Sequence, residues 1–401
     1  MNLPLWTLAT VLLFIAFRRS LRLAIWQIML GGAAFVVSSR AISLAEAWHA
    51  IDWEIIGFLF GVFVLGQALV SSGLLNRLSG LLFGKIGNAE MLVLAVLTVS
   101  GLASTLLMND TLAVIGTPLM LTLARTHRLP PLLLLLALAF GVTIGSAASP
   151  VGNPQNLLIA MHGGIENPFL LFSKSLALPT ALNLLFAWVV LRIAFRHDFH
   201  GHVLTHSFAQ LEDPVLARHA AMGLAVMAAL VFIKAGLATF FSYGLPLWIL
   251  SAGACSPVLL LSPKKFTVLG EIDWRTLVFF AAMFVLMRAV WDSGAIRSWL
   301  PESVSGVPGI LFGAALLSQI ISNVPLVALL LPSVHSGGQH AMLALAAGST
   351  IAGNLTLLGA ASNVIIAQLA ERQGVHLDFW RFLVVGAPLA FVNLLVYWFF
   401  L

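Results

Sequence analysis

The chain is poor in charged residues. Asp, Glu, Lys and Arg make up 9% of its 401 residues, whereas hydrophobic residues make up 60%. A soluble domain carries about 25% charged residues, so this composition cannot form a water-facing surface. The scarcity of charge excludes a soluble protein and indicates one that spans a membrane.

Cysteine and catalytic motifs are also scarce. The single cysteine, Cys255, excludes a disulfide within the chain and a metal site built from several cysteines. The apolar segments contain no paired acids, no Ser/His/Asp set and no cluster of metal ligands. The phosphate-binding loop of ATP-driven pumps, GxxxxGK followed by Ser or Thr, is missing as well. We therefore expect neither an enzyme nor a pump, and no cofactor beyond a coupling ion.

What the chain has instead is a series of twelve apolar segments. They lie near 4–17, 21–39, 54–75, 91–124, 131–163 and 168–195, and near 220–240, 244–262, 274–297, 307–334, 340–370 and 378–401. The first has no basic n-region or cleavage site and is predicted to be a span, not a cleaved signal peptide. One span needs about 20 apolar residues, and the 91–124 and 307–334 segments are longer and interrupted. We predict that these two are hairpins that enter and leave on one side.

The two halves of the chain repeat the same motifs in the same order. The offset between matching positions drifts only from 221 to 214 to 207 across three blocks. A single break would be an ordinary helix kink, but paired breaks at equivalent places point to a transporter's binding site. The matched blocks are Ile51-Asp52-Trp53 and Ile272-Asp273-Trp274, Asn109 to Pro118 and Asn323 to Pro332, and Thr143 to Asn156 and Thr350 to Asn363.

Five spans and one hairpin in each half make the predicted repeat inverted, because an odd number of crossings starts the second half from the opposite side. The predicted fold is an all-α polytopic membrane protein, an inverted repeat of two five-span halves, each with a re-entrant hairpin and a broken helix. The expected units are a first repeat over 1–196 (hairpin 91–124, broken helix 131–163), a cytoplasmic linker over 197–219, and a second repeat over 220–401 (hairpin 307–334, broken helix 340–370).

The cations support this topology. The net charge of +5 would suggest a nucleic-acid partner in a soluble protein, but here the positive-inside rule explains it. On one predicted face lie Arg18, Arg19, Arg22, Arg77, Lys85, Arg125, Arg128, Arg192, Arg196, Arg218, Lys264 and Lys265. That face is predicted to be cytoplasmic, with both termini outside, in the cytoplasmic (inner) membrane. The linker holds five of the eleven histidines; a metal or pH sensor there is conceivable, but their spacing fits no defined zinc pattern, and a solvated connector is the simpler interpretation.

The four breaks supply the candidate substrate- and ion-binding residues, because unwound backbone leaves N–H and C=O groups free. They are Asn109, Asp110, Thr111, Gly152, Asn153, Asn156, Ser322, Asn323, Gly359, Ser362 and Asn363.

Asp110 is the acidic side chain predicted to lie well inside the membrane, where a carboxylate is by default a functional-site hypothesis. It would bind a cation such as Na⁺ or carry a proton, and the difficulty of ionising a desolvated carboxyl favours the proton. A structural hydrogen bond at the hairpin tip is the alternative. Arg288, in a predicted span, would attract an anion, neutralise Asp110 or snorkel to the surface.

Asn-x₈-Pro, present twice and each time followed by a Gly-x-x-x-Asn break, resembles the ion transporter superfamily over essentially the whole chain. That grouping contains divalent-anion/sodium symporters, citrate transporters, arsenite efflux permeases and a class of Na⁺/H⁺ antiporters. The resemblance implies a scaffold domain and a transport domain in each protomer, usually in a homodimer, with elevator-like movement of the transport domain. It also implies that hairpin tips and broken helices together form the substrate and cation sites.

Only some of the binding positions of the symporters have matching residues in this chain. Asn109, Gly152 and Asn156 match the positions of the first cation site in the symporters, which with Asp110 implies a Na⁺ site. Ser322, Asn323, Gly359 and Asn363 match the second. Where a dicarboxylate symporter has Ser-Asn-Thr at each tip, this chain has Met108-Asn109-Asp110 and Ser322-Asn323-Val324. An ionised Asp110 would also repel an anion, and both departures weaken a dicarboxylate assignment. Asn109-Asp110 at the first tip is more similar to arsenite permeases and Na⁺/H⁺ antiporters, two branches that share this pair.

The sequence thus predicts a secondary active transporter of a small anion or an arsenite-like oxyacid, coupled to H⁺ or Na⁺ through Asp110. A Na⁺/H⁺ antiporter, in which Asp110 binds the transported cation itself, is the alternative within transport. A passive anion channel is the alternative of another class, and the matched breaks argue against it.

Overall fold

The computed structural model describes residues 3–17, 21, 23–105, 108–199, 211–241, 246–294, 306–320 and 323–401. These residues form nineteen α-helices and no β-strand, which confirms the predicted all-α fold. The first half contains α1 (Leu3–Ala16), α2 (Ile25–Ser38), α3 (Leu44–Ala50), α4 (Trp53–Ser71), α5 (Leu74–Phe83), α6 (Ala89–Ser104), α7 (Asn109–His127), α8 (Pro131–Ser146), α9 (Pro154–His162) and α10 (Pro168–Ala194). The second contains α11 (Pro214–Phe241), α12 (Leu247–Ser256), α13 (Lys265–Glu271), α14 (Trp274–Asp292), α15 (Val307–Leu317), α16 (Asn323–Val334), α17 (Gly338–Leu355), α18 (Ala361–Arg372) and α19 (Phe379–Phe400).

Five of the described helices are long and apolar enough to cross a membrane: α4, α10, α11 over Pro214–Lys234, α14 and α19. Six shorter apolar stretches accompany them, among them the helices that lead into the predicted hairpins and breaks. These helices are short because the chain unwinds at the hairpin tips and breaks. The chain is a multi-pass membrane protein, while the count of ten spans and the direction of each half across the membrane stay predictions.

The first arms of the two broken helices form the centre of the protein. Every position of α8 from Leu133 to Ser146, and every position of α17 from Ala341 to Asn354, is buried. Lipid could cover an apolar helix as well as protein could, so burial of every position by protein marks these two helices as the core of the bundle. α8 packs against α6 and α7, and α17 packs in the same way against α15 and α16. Both hairpins therefore surround a buried helix of their own half.

Other helices pack against helices of the opposite half. α2 packs against α14, and its counterpart in the second half, α12, packs against α4. α7 packs against α18, and in the equivalent contact α16 packs against α9. This reciprocal pattern is the one expected for two halves related by a two-fold axis. It brings each hairpin beside the break of the other half.

Glycine permits a close helix crossing inside each half. A Cβ atom added to Gly145 of α8 would overlap the backbone of Gly101 in α6. The equivalent crossing joins Gly348 of α17 to the backbone of Leu311 in α15, again with no space for a Cβ atom. Small residues are the usual means by which membrane helices approach closely.

The second half begins earlier than the predicted boundary at 220. α11 starts at Pro214, because proline suits the first helical position and the preceding aspartate caps the helix. Asp213 Oδ1 accepts hydrogen bonds from the backbone N–H groups of Val215 and Leu216, at 3.0 and 2.9 Å. Asp213 Oδ2 lies 2.8 Å from Lys264 Nζ. Residues 200–210 of the predicted linker lie outside the described residues.

Replacing Asp213 tests this anchor. Asp213→Asn keeps a side-chain cap but loses the ion pair, so we expect it to cost less than about 1 kcal/mol, whereas Asp213→Ala also loses the cap and should cost about 1–2 kcal/mol. The Leu216 N–H and the Lys264 ammonium hold the pKa of the Asp213 carboxyl below its usual range. The stabilisation is therefore present at neutral pH and lost as pH falls through that lowered pKa. Thermal unfolding in detergent at neutral and acidic pH measures the loss in each variant and its dependence on pH. Equal losses in the two variants would contradict the capping role.

Candidate functional site

A cavity of about 320 Å³ lies where the hairpin tips meet the helix breaks. Its polar side is formed by residues of both hairpins and both breaks: Met108, Asn109, Asp110, Pro154, Gln155, Ser318, Gln319, Ile320, Asn323, Val324, Leu358, Gly359, Ala360 and Ala361. The facing wall is largely apolar and comes mainly from α1, α2, α4 and α14, including Leu8, Met29, Phe58, Phe280, Met283 and Met287. Among the described lining residues only Asp52 and Asp110 are ionisable, and none is Lys, Arg or His.

The first hairpin tip is joined to the first break. The backbone N–H of Asn109 donates a 2.9 Å hydrogen bond to the carbonyl oxygen of Gly152. The sequence predicts an interruption at Asn109-Asp110; α7 begins at Asn109, so the interruption precedes it, and residues 106–107 lie outside the described part. Asp110 in the first turn is next to the free N–H groups and the positive end of the helix dipole, which favour a carboxylate.

Several buried oxygens at the tips have no hydrogen-bond partner among the described residues. On the first tip these are Asn109 Oδ1 and Asp110 Oδ1, and on the second Asn323 Oδ1. Asn109 and Asn323 are only 6% and 8% exposed. Carboxylate and amide oxygens are the ligands that hard cations prefer, so this donor set fits the predicted Na⁺ as well as a proton on Asp110. The described residues contain no group of three or more His, Cys, Asp or Glu side chains that would hold a metal ion.

The asparagines of the first break turn away from this cavity and sustain the break itself. Asn153 Oδ1 accepts from the backbone N–H of Asn156 at 2.8 Å, and its Nδ2 donates to Ser146 Oγ and Thr350 Oγ1 at 3.0 and 3.1 Å. Asn156 Nδ2 donates to the carbonyls of Ser146 and Ser149, both at 3.1 Å. Those carbonyls lie at and beyond the end of α8, where no helical partner remains. Both amides therefore cap the broken helix.

In the second break, too, an asparagine amide caps the end of the preceding helix, although the neighbouring residues are smaller. Asn363 Nδ2 donates to the carbonyl oxygen of Gly353 at 2.5 Å, which is the counterpart of the Asn156–Ser146 bond. Ser362 and Asn363 are fully buried and do not line the cavity, whereas Gly359 does. Ser362 Oγ and Asn363 Oδ1 lack a partner within the described ranges. Ser322 lies outside those ranges.

Two other sequence predictions are refined. Thr111 is 2% exposed in the first turn of α7 and does not line the cavity. Arg288 Nε lies 2.7 Å from Asp292 Oδ2 on the same helix, and its side chain is 56% exposed. Arg288 therefore pairs with Asp292 and not with Asp110, as expected for a side chain one helical turn from its partner.

Sequence reasoning missed Gln319. It follows α15 directly, lines the cavity and hydrogen-bonds to three groups of the second hairpin and break. The available signal was an amide side chain in an otherwise apolar segment, four residues before Asn323. Sequence reasoning also missed a buried polar chain in which Asn354 Nδ2 donates to Asn393 and Asn393 Nδ2 to Asn183, both at 3.0 Å. That chain connects the end of α17 to the long helices α10 and α19.

Comparison with known proteins identifies the family. A family model described as a citrate transporter, CitMHS, matches residues 11–342. The silicon efflux transporter LSI3 of Oryza sativa subsp. japonica is 30% identical, and the alignment covers 89% of this chain and 88% of that protein. An uncharacterised transporter of Mycobacterium bovis is 27% identical, covering 92% of this chain and 91% of its own length.

Among solved structures, the YdaH transporter of Alcanivorax borkumensis matches 85% of this chain and 82% of its own at 17% identity, with a TM-score of 0.46. That likeness is too low to carry an argument. The predicted resemblance is nevertheless confirmed, because the family match covers most of the sequence and the relatives are transporters. The chain belongs to the CitMHS citrate transporter family and is a multi-pass membrane transporter, not an enzyme.

Proposed function

We propose that this chain is a secondary active transporter of a small hydroxylated oxyacid, such as arsenous or silicic acid, coupled to H⁺ or Na⁺ across the cytoplasmic membrane. One observation carries the proposal. The described lining of the cavity contains two carboxyl side chains, Asp52 and Asp110, four amides, the hydroxyl of Ser318, and no cationic side chain.

This lining suits an uncharged substrate better than a polyvalent anion. An ionised carboxylate substrate loses hydration on entering the cavity, and that loss is severe unless opposite charges compensate for it. Here Asp110 would add repulsion. An uncharged oxyacid instead presents hydroxyl groups, which donate to the unpartnered oxygens of Asn109, Asp110 and Asn323. The printed name of the rice relative, a silicon efflux transporter, is in keeping with this substrate class, because silicon in neutral water is the uncharged silicic acid.

The packing supports an elevator-type movement. The cavity separates the hairpins and breaks from a wall built mainly by α1, α2, α4 and α14. We propose that the hairpins and breaks form the transport body, that the facing helices belong to the scaffold, and that two protomers associate through their scaffolds. Asp110 then carries the coupling ion as the transport body moves.

A Na⁺/H⁺ antiporter is the second candidate. The observation that favours it is the set of unpartnered buried oxygens at the tips, because a carboxylate with neighbouring amide oxygens is a ligand set for a hard cation. In that case the cation replaces the oxyacid as substrate. A passive anion channel fits the paired breaks less well, and single-channel currents in a planar bilayer would reveal one.

A transport assay distinguishes these functions. In proteoliposomes with a preset pH gradient, we expect added arsenous or silicic acid to dissipate the gradient only when the protein is present. Excess citrate should not compete, since the described lining offers it no cationic side chain. A Na⁺ pulse that dissipates the gradient without any oxyacid would assign antiport instead. Competition by citrate would contradict the proposed substrate class.

A further inference from the structure

We propose that Gln319 is a positioning residue for transport, which ties the second hairpin to the second helix break and so fixes one wall of the cavity. The proposal deepens the function above and rests on it for the identity of the substrate. The observation behind it is that Gln319 lines the cavity while its polar atoms bond to protein groups.

Both the nitrogen and the oxygen of the Gln319 side-chain amide form hydrogen bonds with other groups of the protein. Its Nε2 donates to the carbonyl oxygens of Ala315 and Ala352, at 3.0 and 2.9 Å. Its Oε1 accepts from Thr356 Oγ1 at 2.7 Å. One of these partners belongs to α15, and the other two belong to the end of α17 and the break that follows. The side chain thus joins the hairpin to the broken helix.

The bond to Ala352 compensates for a feature of the helix end. The last four carbonyls of an α-helix have no partner within it, and Ala352 is among the last four residues of α17. Asn363 caps the neighbouring carbonyl of Gly353 from the far side of the break. Gln319 therefore caps α17 from a separate segment, and losing it would leave a buried carbonyl unsatisfied.

Gly359 gives Gln319 the space it needs. A Cβ atom at position 359 would lie 3.0 Å from Gln319 Oε1 and would overlap the carbonyl oxygen of Ala352. The glycine of the repeated Gly-x-x-x-Asn break thus permits the close approach of the hairpin. In the second half, this packing explains why a glycine stands at the start of the repeated Gly-x-x-x-Asn break.

Among the described residues, which omit 106–107, the first hairpin shows no equivalent side-chain tether. Thr105 occupies the matching position, and its Oγ1 donates to the carbonyl of Leu102 in its own helix at 2.8 Å. The described contact between the first tip and its break is a single backbone bond, from Asn109 to Gly152. Two side-chain bonds therefore cross from the second hairpin to its break, to Ala352 and Thr356, whereas the described residues of the first hairpin form none. We infer that Gln319 sets the shape of the cavity wall near Asn323 and thereby the apparent affinity for substrate.

Four variants test the inference in the oxyacid transport assay. Gln319→Met keeps the volume but removes all three bonds, and should raise KM about tenfold with kcat changed far less. Thr356→Val removes one bond and should raise KM by a smaller factor. The double variant should be no worse than Gln319→Met alone, because both changes act through the same contact. Thr105→Val is the matched control and should retain the wild-type KM.

A wild-type KM in Gln319→Met, or additive effects in the double variant, would overturn the inference. So would a fall in kcat alone that tracks a lower melting temperature, since that indicates a purely structural role. If the wild-type protein carries no oxyacid, the proposed function fails, and hydrogen exchange of residues 353–360 then tests the tether by itself. Gln319→Met should accelerate that exchange about tenfold relative to Thr105→Val; unchanged exchange would overturn the tether.

Discussion

Asp110→Asn should reduce gradient-driven oxyacid transport about a hundredfold or more while the protein remains folded. The asparagine has the same shape but can neither carry a proton nor neutralise a cation. Asp110 lines the cavity, and its buried Oδ1 has no hydrogen-bond partner among the described residues, so the substitution breaks no described hydrogen bond. The measurement is oxyacid flux into proteoliposomes under an imposed pH or Na⁺ gradient.

Asp52→Asn is the matched control for that experiment. Asp52 lines the same cavity, and its Oδ1 caps α4 by accepting from the Ile55 N–H at 3.1 Å. Asparagine caps equally well, so this variant should retain transport. Full gradient-driven uptake by Asp110→Asn would show that Asp110 is not the coupling residue. If Asp110→Asn loses coupling but still exchanges labelled for unlabelled oxyacid, Asp110 binds the ion and not the substrate.

Gly145→Ala should destabilise the protein by about 1–3 kcal/mol, the usual cost of an extra methyl group in a closely packed core. The new Cβ atom would overlap the backbone of Gly101, which cannot rotate away as a side chain would. α8 and α6 would have to separate, and α8 is the buried helix on which the first hairpin packs. Thermal unfolding in detergent, together with the yield of folded protein, measures the loss.

Gly31→Ala provides the comparison. Gly31 lies within α2 on an exposed face, and a Cβ atom there meets nothing within 4 Å. Alanine is favoured over glycine in a helix by about 0.5–1 kcal/mol, so this variant should be as stable as the wild type or slightly more so. Equal melting temperatures for the two variants would contradict the close crossing of α6 and α8.

The elements that the sequence predicts well are those encoded by local signals. Asn153 followed by Pro154 is an N-cap followed by a favoured first helical residue, and α9 begins there. The repeat of Asn109 at Asn323 marks the starts of α7 and α16. These features depend on backbone chemistry within a few residues, which a single sequence displays.

The predictions fall short where a side chain's partner comes from elsewhere in the fold. Asn153 and Asn156 are polar residues at a break, but packing decides whether their amides face a cavity or cap a helix end. Here Asn153 caps the start of α9 and Asn156 caps the end of α8. Gln319 reaches residues 33 and 37 positions further along the chain. Arg288 has a partner one helical turn away, yet its orientation depends on which face of α14 is covered. Such contacts depend on tertiary packing that periodicity does not specify.

The exchanged packing of the halves has a consequence for how the protein is made. The N-terminal half emerges from the ribosome first, but α7 packs against α18, and α4 packs against α12. The first hairpin, with its polar tip, therefore lacks this packing partner until the C-terminal half has been synthesised. In the predicted re-entrant arrangement its tip lies within the membrane, where unwound backbone is tolerated only when protein or water covers it. We therefore expect the nascent first half to need temporary cover from the insertion machinery or from trapped water until the helices of the second half have been made.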